Sequence, residues 1–219
     1  MKNVVILIPT YNPTDKLVNV ILNLKKNGFT NIIIVDDGSL DKEIFSKIDV
    51  SNILVHNTNM GKGVALKTGF KYISKLGFEC VITIDDDFQQ DTLDVVKVAN
   101  AFLKEKGIYF GVRSFEDAPF MRKMANKVSS KLFKLIYKEE IIDTQTGLRC
   151  FPNDILSDLA LVKGDRFEYE MNVLKYLVNN KIEIKEIPIK TIYNDGGSHY
   201  NSLKDSCKIL KVLFDKNNF

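Results

Sequence analysis

Short β-branched runs, apolar on both faces, alternate with amphipathic stretches through the first 113 residues, and that rhythm limits the folds open to the chain. VVILI (4–8), NIIIVDDGS (31–39), NILVH (52–56), ECVITID (79–85) and IYFGVR (108–113) read as strands. Helical patterns lie between them. Leu17, Val20, Ile21 and Leu24 recur at helical spacing before Asn27-Gly28, GKGVALKTGFKYISKLG (61–77) ends at Gly77, and TLDVVKVANAFLKE (92–105) precedes the fifth strand. A strand that is apolar on both faces must be covered on both, and intervening helices supply the crossovers. The expected class is therefore α/β, a mostly parallel central sheet with helices on both faces.

After Arg113 the rhythm changes. SFEDAP (114–119) is a polar loop and residues 120–138 a basic amphipathic helix; a less regular region follows. Then come a helix over 168–180, strand-like KIEIKEIPIKTIY (181–193), a Gly-rich loop and a last helix from about 202 to 214. The reading is one domain over 1–219, with 114–219 built onto the sheet of 1–113. A formal charge of +3 is too balanced to point to nucleic acid. Cys80, Cys150 and Cys207 are far apart and form no CxxC pair, so neither a disulfide framework nor a zinc site is indicated, and a reducing cytoplasm is the expected setting. The run Val4–Ile8 is too short for a signal-peptide core, and nothing approaches the roughly 18 apolar residues of a membrane span. The expected location is the cytoplasm, at most peripheral to the inner face of the cell membrane.

Two strands end in acid. Asp36-Asp37 closes the second, and Asp85-Asp86-Asp87 closes the fourth. Ligands of open parallel sheets bind outside the carboxyl ends of strands, so both groups should face one crevice. Adjacent carboxylates at ~4 Å repel by about 1 kcal/mol per pair even in water. A cation should offset this, and hard oxygen ligands with room for water and phosphate suit Mg²⁺ or Mn²⁺. A solvated acidic turn ahead of a helix-capping Asp91 is the plainer alternative.

VVILIPTYN, IVDDGS, NMGKGVALKTG, TIDDDFQ and GVR, in this order and spacing, resemble family 2 glycosyltransferases of the GT-A fold, over nearly the whole chain. The D-x-D-x-Q form is similar to polyprenyl-phosphate sugar transferases of the dolichyl-phosphate mannose synthase type. The resemblance implies that Asp85, Asp87 and Gln89 hold the metal on the diphosphate of a nucleotide sugar. It also implies that Pro9, Thr10, Tyr11 and Asp37 line the nucleoside, that Asp86 positions the ribose, that Arg113 faces the phosphates and that Lys62 is among the substrate-binding residues. Pro9-Thr10 read alone is a plain strand end, Lys62 a solvated lysine after an N-cap, and Arg113 a surface ion-pair partner.

DTQTGLRCF (143–151) resembles the family stretch that approaches the acceptor. A hydroxyl acceptor needs a base, for which Asp143 is the match; a phosphate acceptor needs cations, Arg149 and Arg122. Asp143 capping a turn and pairing with Arg149 is the structural alternative. Glu170 either holds an arginine or is a first-turn acid favoured by the helix dipole. Lys123, Lys127, Lys131, Lys134 and Lys138 stripe helix 120–138, opposite an apolar side that includes Met124, Val128, Leu132, Leu135 and Ile136. The stripe fits either an anionic membrane surface or plain solvent. Where the mannose synthases carry an arginine, this chain reads IYNDGGSHYNSLKDS (192–206); His199 there could meet the diphosphate or metal, and His56 reads as structural. The expected activity is metal-dependent, inverting transfer of a hexose from a nucleotide diphosphate sugar to a polyprenyl phosphate. The alternatives are a saccharide hydroxyl acceptor, a sugar-phosphate nucleotidyltransferase and a non-catalytic nucleotide-sugar module.

Overall fold

The computed structural model describes residues 1–114, 120–190 and 212–213. Its strands are β1 (Val4–Thr10), β2 (Ile32–Asp36), β3 (Asn52–Val55), β4 (Cys80–Thr83), β5 (Ile108–Arg113), β6 (Arg149–Pro152) and β7 (Ile184–Ile189). Its helices are α1 (Asp15–Lys26), α2 (Lys62–Ile73), α3 (Thr92–Lys104), α4 (Phe120–Tyr137), α5 (Leu156–Leu159) and α6 (Glu168–Asn179). The ends follow from local chemistry. Thr14 and Asp91 cap α1 and α3 through their side-chain oxygens, and α1 stops at Asn27 before Gly28 (φ +85°).

One sheet runs in the order β3-β2-β1-β4-β6-β5-β7. All neighbours are parallel except β6, which is antiparallel to both β4 and β5. Alternation along each strand sends side chains to two cores. Val5 and Leu7 of β1 join α2, α5, α6 and Phe133 of α4; Val4, Ile6 and Ile8 join α1 and α3. The sheet is thus mostly parallel and covered on both faces, as the uninterrupted apolar strands require. The chain builds outward from β1 to β2 and β3, then crosses to β4 on the other flank. This reversal puts the topological switch, and hence the crevice, between the carboxyl ends of β1 and β4.

Two elements depart from the sequence reading. β6 lies in the stretch read as irregular; four residues are too few for a visible period, and it forms because β4 and β5 flank it. In α4 the core-facing positions are Asn126, Ser129 and Phe133, whereas Met124 and Val128 are each 41% exposed and Leu135 is 76% exposed. The expected apolar side therefore splits: Leu132 and Ile136 pack on the core, and three apolar residues stand out beside the exposed lysines. The last helix, the Gly-rich loop and His199 fall outside the described residues, apart from helical Val212 and Leu213.

Helix α2 lies close on β1 because Gly69 has no side chain; a Cβ there would sit 2.4 Å from Leu7 Cδ1. Gly69→Ala should overpack this contact and destabilise the fold by about 1–3 kcal/mol, less any gain in helix propensity. Urea unfolding monitored by circular dichroism measures this, and an unchanged or raised midpoint would mean that α2 and β1 separate freely.

Candidate active site

The carboxyl ends of β1, β2 and β4 carry Thr10, Asp36-Asp37 and, just past β4, Asp85-Asp86-Asp87. Pro9 and Thr10 are buried in the last turn of β1, and Tyr11 is half-buried beyond it. Thr10 Oγ1 donates to Asp86 Oδ2, linking the two strand ends across the switch point.

Asp37 is buried and accepts three hydrogen bonds. The backbone N–H groups of Met60 and Gly61 donate to Oδ1 and Oδ2 at 2.9 and 2.7 Å, and His56 Nδ1 lies 2.7 Å from Oδ1. The other ring nitrogen of His56 meets the Thr68 hydroxyl at 3.0 Å. This carboxylate, expected to accept from a nucleobase, is the knot that ties the end of β2 to the loop before α2. His56 is structural, as its place at a strand end indicated. Gly38 (φ +76°) lets the neighbouring turn pass Thr58, whose carbonyl carbon would lie 2.4 Å from an added Cβ.

The three aspartates are handled separately. Asp85 receives Lys62 Nζ at 2.7 Å and Gln90 Nε2 at 3.2 Å, while its own N–H donates to Gln90 Oε1 at 3.1 Å. Gly147 makes room for it: an added Cβ would fall 2.2 Å from Asp85 Oδ2. Burial alone would raise the Asp85 pKa, but Lys62, with Arg113 and Arg149 behind it, holds it below the ordinary value. Asp87 accepts from the Gln89 N–H at 3.0 Å, and Phe88 turns the chain between them at φ +59°. Burial and then the charge of Asp85 push the Asp87 carboxyl up. Two hard carboxylates, Asp85 paired with Lys62 and Asp87 bound by the Gln89 N–H, fit a divalent cation. Among the described residues no group of three or more His, Cys, Asp or Glu could hold a metal by itself. Such a set matches Mg²⁺ or Mn²⁺, which take one or two carboxylates and complete their shell with phosphate and water.

On the far rim, Asp143 is fully buried and bound side-on by Arg113, Nε to Oδ2 at 2.6 Å and Nη2 to Oδ1 at 2.9 Å. The N–H groups of Arg113 (3.3 Å) and Gln145 (3.1 Å) add a second donor to each oxygen. Four donors occupy the roughly four acceptor positions of a carboxylate. Arg149 is buried too, but its partners are backbone carbonyls: Nε on Thr146, Nη1 on Glu170 and Nη2 on Thr144, with its guanidinium 4.5 Å above the Phe110 ring. Of Arg122 only the helical backbone is described.

Sequence reasoning missed two contributors, Gln90 and Gly147, and left the partner of a third, Glu170, open. Glu170 holds Lys62 at 3.0 and 3.1 Å, not an arginine side chain. Gln90, one residue past the motif glutamine, braces Asp85. Gly147 gave no signal beyond its place in G-L-R. Lys62 and Glu170 are 108 positions apart, so no periodicity could have joined them.

A substitution separates frame from site. Arg149→Met leaves three carbonyls without their donor, each costing about 1–3 kcal/mol when buried. It should lower unfolding stability by roughly 3 kcal/mol or more, read from the urea midpoint of ligand-free protein. A midpoint at the wild-type value would return Arg149 to the set of ligand-facing cations.

The sequence profile described as glycosyl transferase family 2 matches residues 5–159. A UDP-N-acetylglucosamine–dolichyl-phosphate N-acetylglucosaminyltransferase of Methanococcus voltae is 31% identical over 219 residues, covering 89% of this chain and 87% of that protein. An uncharacterized protein of Methanocaldococcus jannaschii is 33% identical over 202 residues, covering 87% of this chain and 82% of its own. Among solved structures, glucosyl-3-phosphoglycerate synthase from Mycobacterium tuberculosis, in complex with Mn²⁺, UDP and glucosyl-3-phosphoglycerate, superposes with a TM-score of 0.75. It is 14% identical, covering 96% of this chain and 78% of that one. At that identity the likeness is one of fold.

Proposed function

The chain belongs to glycosyl transferase family 2 and has the GT-A fold, and from that premise we propose that it moves a hexose or N-acetylhexosamine, with inversion, from a nucleotide diphosphate sugar to a polyprenyl phosphate. Asp85, Asp87 and Gln89 would hold Mg²⁺ or Mn²⁺. When bound, such an ion neutralises charge that builds on the leaving diphosphate. Lys62 and Arg113 extend the same positive field along the crevice. The switch-point residues Thr10, Tyr11 and Asp86 face the donor nucleoside, and Asp37 fixes the loop that presents Lys62.

The observation that carries the acceptor assignment is Asp143. A hydroxyl nucleophile must lose a proton as it attacks, and a positioned base contributes about 10²–10⁴-fold to that step. Asp143 has no exposure and a donor on every lone pair, so it has no place for that proton. A phosphate monoester is already an anionic nucleophile and needs none. The Methanococcus voltae relative, named for transfer to dolichyl phosphate, supports the same class and makes UDP-N-acetylglucosamine the first donor to test. In this reading Asp143 is a positioning residue that sets Arg113.

Transfer from UDP-N-acetylglucosamine, UDP-glucose and GDP-mannose to a polyprenyl phosphate and to free sugars, with Mn²⁺ and with EDTA, tests the proposal directly. Product should form on the lipid phosphate and disappear with EDTA. Asp143→Asn should keep lipid transfer within about tenfold of wild type, well short of the 10²–10⁴-fold loss of a true base. Transfer to sugar hydroxyls alone, abolished in Asp143→Asn, would move the assignment to a saccharide acceptor.

A lipid phosphate lies at a membrane, and no helix among the described residues is long and apolar enough to cross one. Helix α4 offers a surface instead. Exposed Lys123, Lys127, Lys131, Lys134 and Lys138 run beside exposed Met124, Val128 and Leu135, a pairing suited to anionic headgroups and the acyl boundary. Its inner side is tied to the Asp143 segment: Asn126 Nδ2 and Ser130 Oγ donate to the Ile142 carbonyl at 2.8 and 3.0 Å, and the Ser129 and Thr144 hydroxyls meet at 2.8 Å. Replacing Lys123, Lys127 and Lys131 with Gln should weaken binding to phosphatidylglycerol vesicles by roughly 1 kcal/mol per lysine, and salt should weaken the wild type. Wild-type protein that ignores such vesicles at low salt would sink membrane docking through α4.

A further inference from the structure

Lys62 stands where a cation is disfavoured twice. It is the first residue of α2, at the positive end of the helix dipole, and its side chain is only 17% exposed. The backbone gives it little freedom to leave. Gly61 (φ +106°) and Gly63 press the helix start onto the segment before α6. A Cβ on Gly61 would lie 2.3 Å from the Asp165 carbonyl oxygen, and one on Gly63 2.6 Å from Tyr169 Cβ. The ammonium is shared between carboxylates of different standing: Asp85 Oδ1 at 2.7 Å, and both oxygens of Glu170 at 3.0 and 3.1 Å. Burial works against its charge, and the carboxylates of Asp85 and Glu170 that it touches oppose that cost.

Asp85 is also the first carboxylate of the proposed metal set, whereas Glu170, on α6, is outside it. We propose that Lys62 is the resident counter-cation of the crevice: it neutralises Asp85 before the metal arrives, and cedes it to the divalent ion while Glu170 retains the ammonium. This rests on the metal-dependent reading above. The arrangement makes bare metal a weak ligand, because the ion must displace an ammonium already in contact. A nucleotide diphosphate, which attracts both cations, removes that opposition. Metal and donor would then enter together, and Glu170 would act through Lys62 rather than on the ligands.

Loss of the free Mn²⁺ signal in electron paramagnetic resonance titrations measures this without turnover. Wild type, Lys62→Met, Lys62→Arg, Glu170→Gln and the Lys62→Met/Glu170→Gln double variant are titrated with Mn²⁺ alone and with UDP or GDP; thermal melts confirm folding. Lys62→Met should bind Mn²⁺ alone on the order of tenfold more tightly, a modest share of a partly screened charge contact at this separation. It should also bind the nucleotide diphosphate more weakly at saturating Mn²⁺. Lys62→Arg, which keeps the cation, should resemble wild type even if Lys62→Met folds poorly. Glu170→Gln should weaken Mn²⁺ binding alone, because Lys62 then rests on Asp85 only, and should have little further effect in the Lys62→Met background. Unchanged or weaker binding of Mn²⁺ alone by Lys62→Met overturns the exchange. So does a Glu170→Gln effect that persists undiminished without Lys62. Wild-type protein that takes up no Mn²⁺ with either nucleotide overturns the metal reading, and the exchange falls with it.

Discussion

Three consecutive carboxylates at the end of a buried strand are the constraint around which the rest of the molecule is arranged. Each aspartate meets a different answer: Asp86 the hydroxyl of Thr10, Asp87 the N–H of Gln89, and Asp85 the ammonium of Lys62 with the amide of Gln90. The third answer is the demanding one. Bringing Lys62 to Asp85 requires α2 to begin against α6, which in turn requires Gly61 and Gly63, and a cation so deep requires Glu170. Gly147 must lack a side chain so that Asp85 can lie where it does. An acidic strand end thus reaches a choice more than 80 positions along the chain, at Glu170.

The same logic explains why the two halves of the chain share one sheet. β6, which brings Arg149 opposite Thr83, is inserted between β4 and β5. Through Arg149 it reaches the carbonyls of Thr144, Thr146 and Glu170 at once. A buried guanidinium on carbonyls is weak evidence for net stability but holds geometry, since its planar fork fixes the directions of its partners. Here it holds the loop carrying Asp143 and the first turn of α6 carrying Glu170, so the groups facing the acidic strand end are set by one side chain.

The repeated part of the fold was legible because burial writes itself into composition. Strands such as VVILI and NIIIV have no polar face, and the helices between them carry clear 3.6-residue periods. β6 was not, because four residues that begin with Arg and end with Pro show no period and their pairing is tertiary. The clustering of acid at two parallel strand ends beside the switch point was legible, since the alternation of strands and helices places both ends on one edge of the sheet. The division of labour was not. Asp37 looks like a ligand group in sequence, yet in space it is enclosed by two N–H donors and an imidazole. Arg113 ends an apolar strand and Arg149 follows Gly147-Leu148, and only tertiary contacts distinguish a cation locked on carbonyls from one at the crevice. On α4 the helical period identified an apolar side but not how it divides, with Leu132 and Ile136 on the core and Met124, Val128 and Leu135 at the surface.

Asp143 shows how far such contacts decide chemistry. In sequence it is an aspartate in the right neighbourhood, and catalytic base and turn cap are equally consistent with it. In space its oxygens receive a guanidinium edge and two backbone N–H groups with no opening to solvent, an arrangement that favours holding Arg113 over taking up a proton. A site that has given its best-placed carboxylate to an arginine suits a nucleophile that arrives without a proton to lose. The exposed side of α4 extends that argument beyond the crevice. The helix that hydrogen-bonds the Asp143 segment from within carries lysines and apolar side chains without, where an anionic lipid surface would complement both. In the proposed reading, acceptor chemistry and acceptor location would depend on the same short stretch of backbone, Ile142 to Thr144.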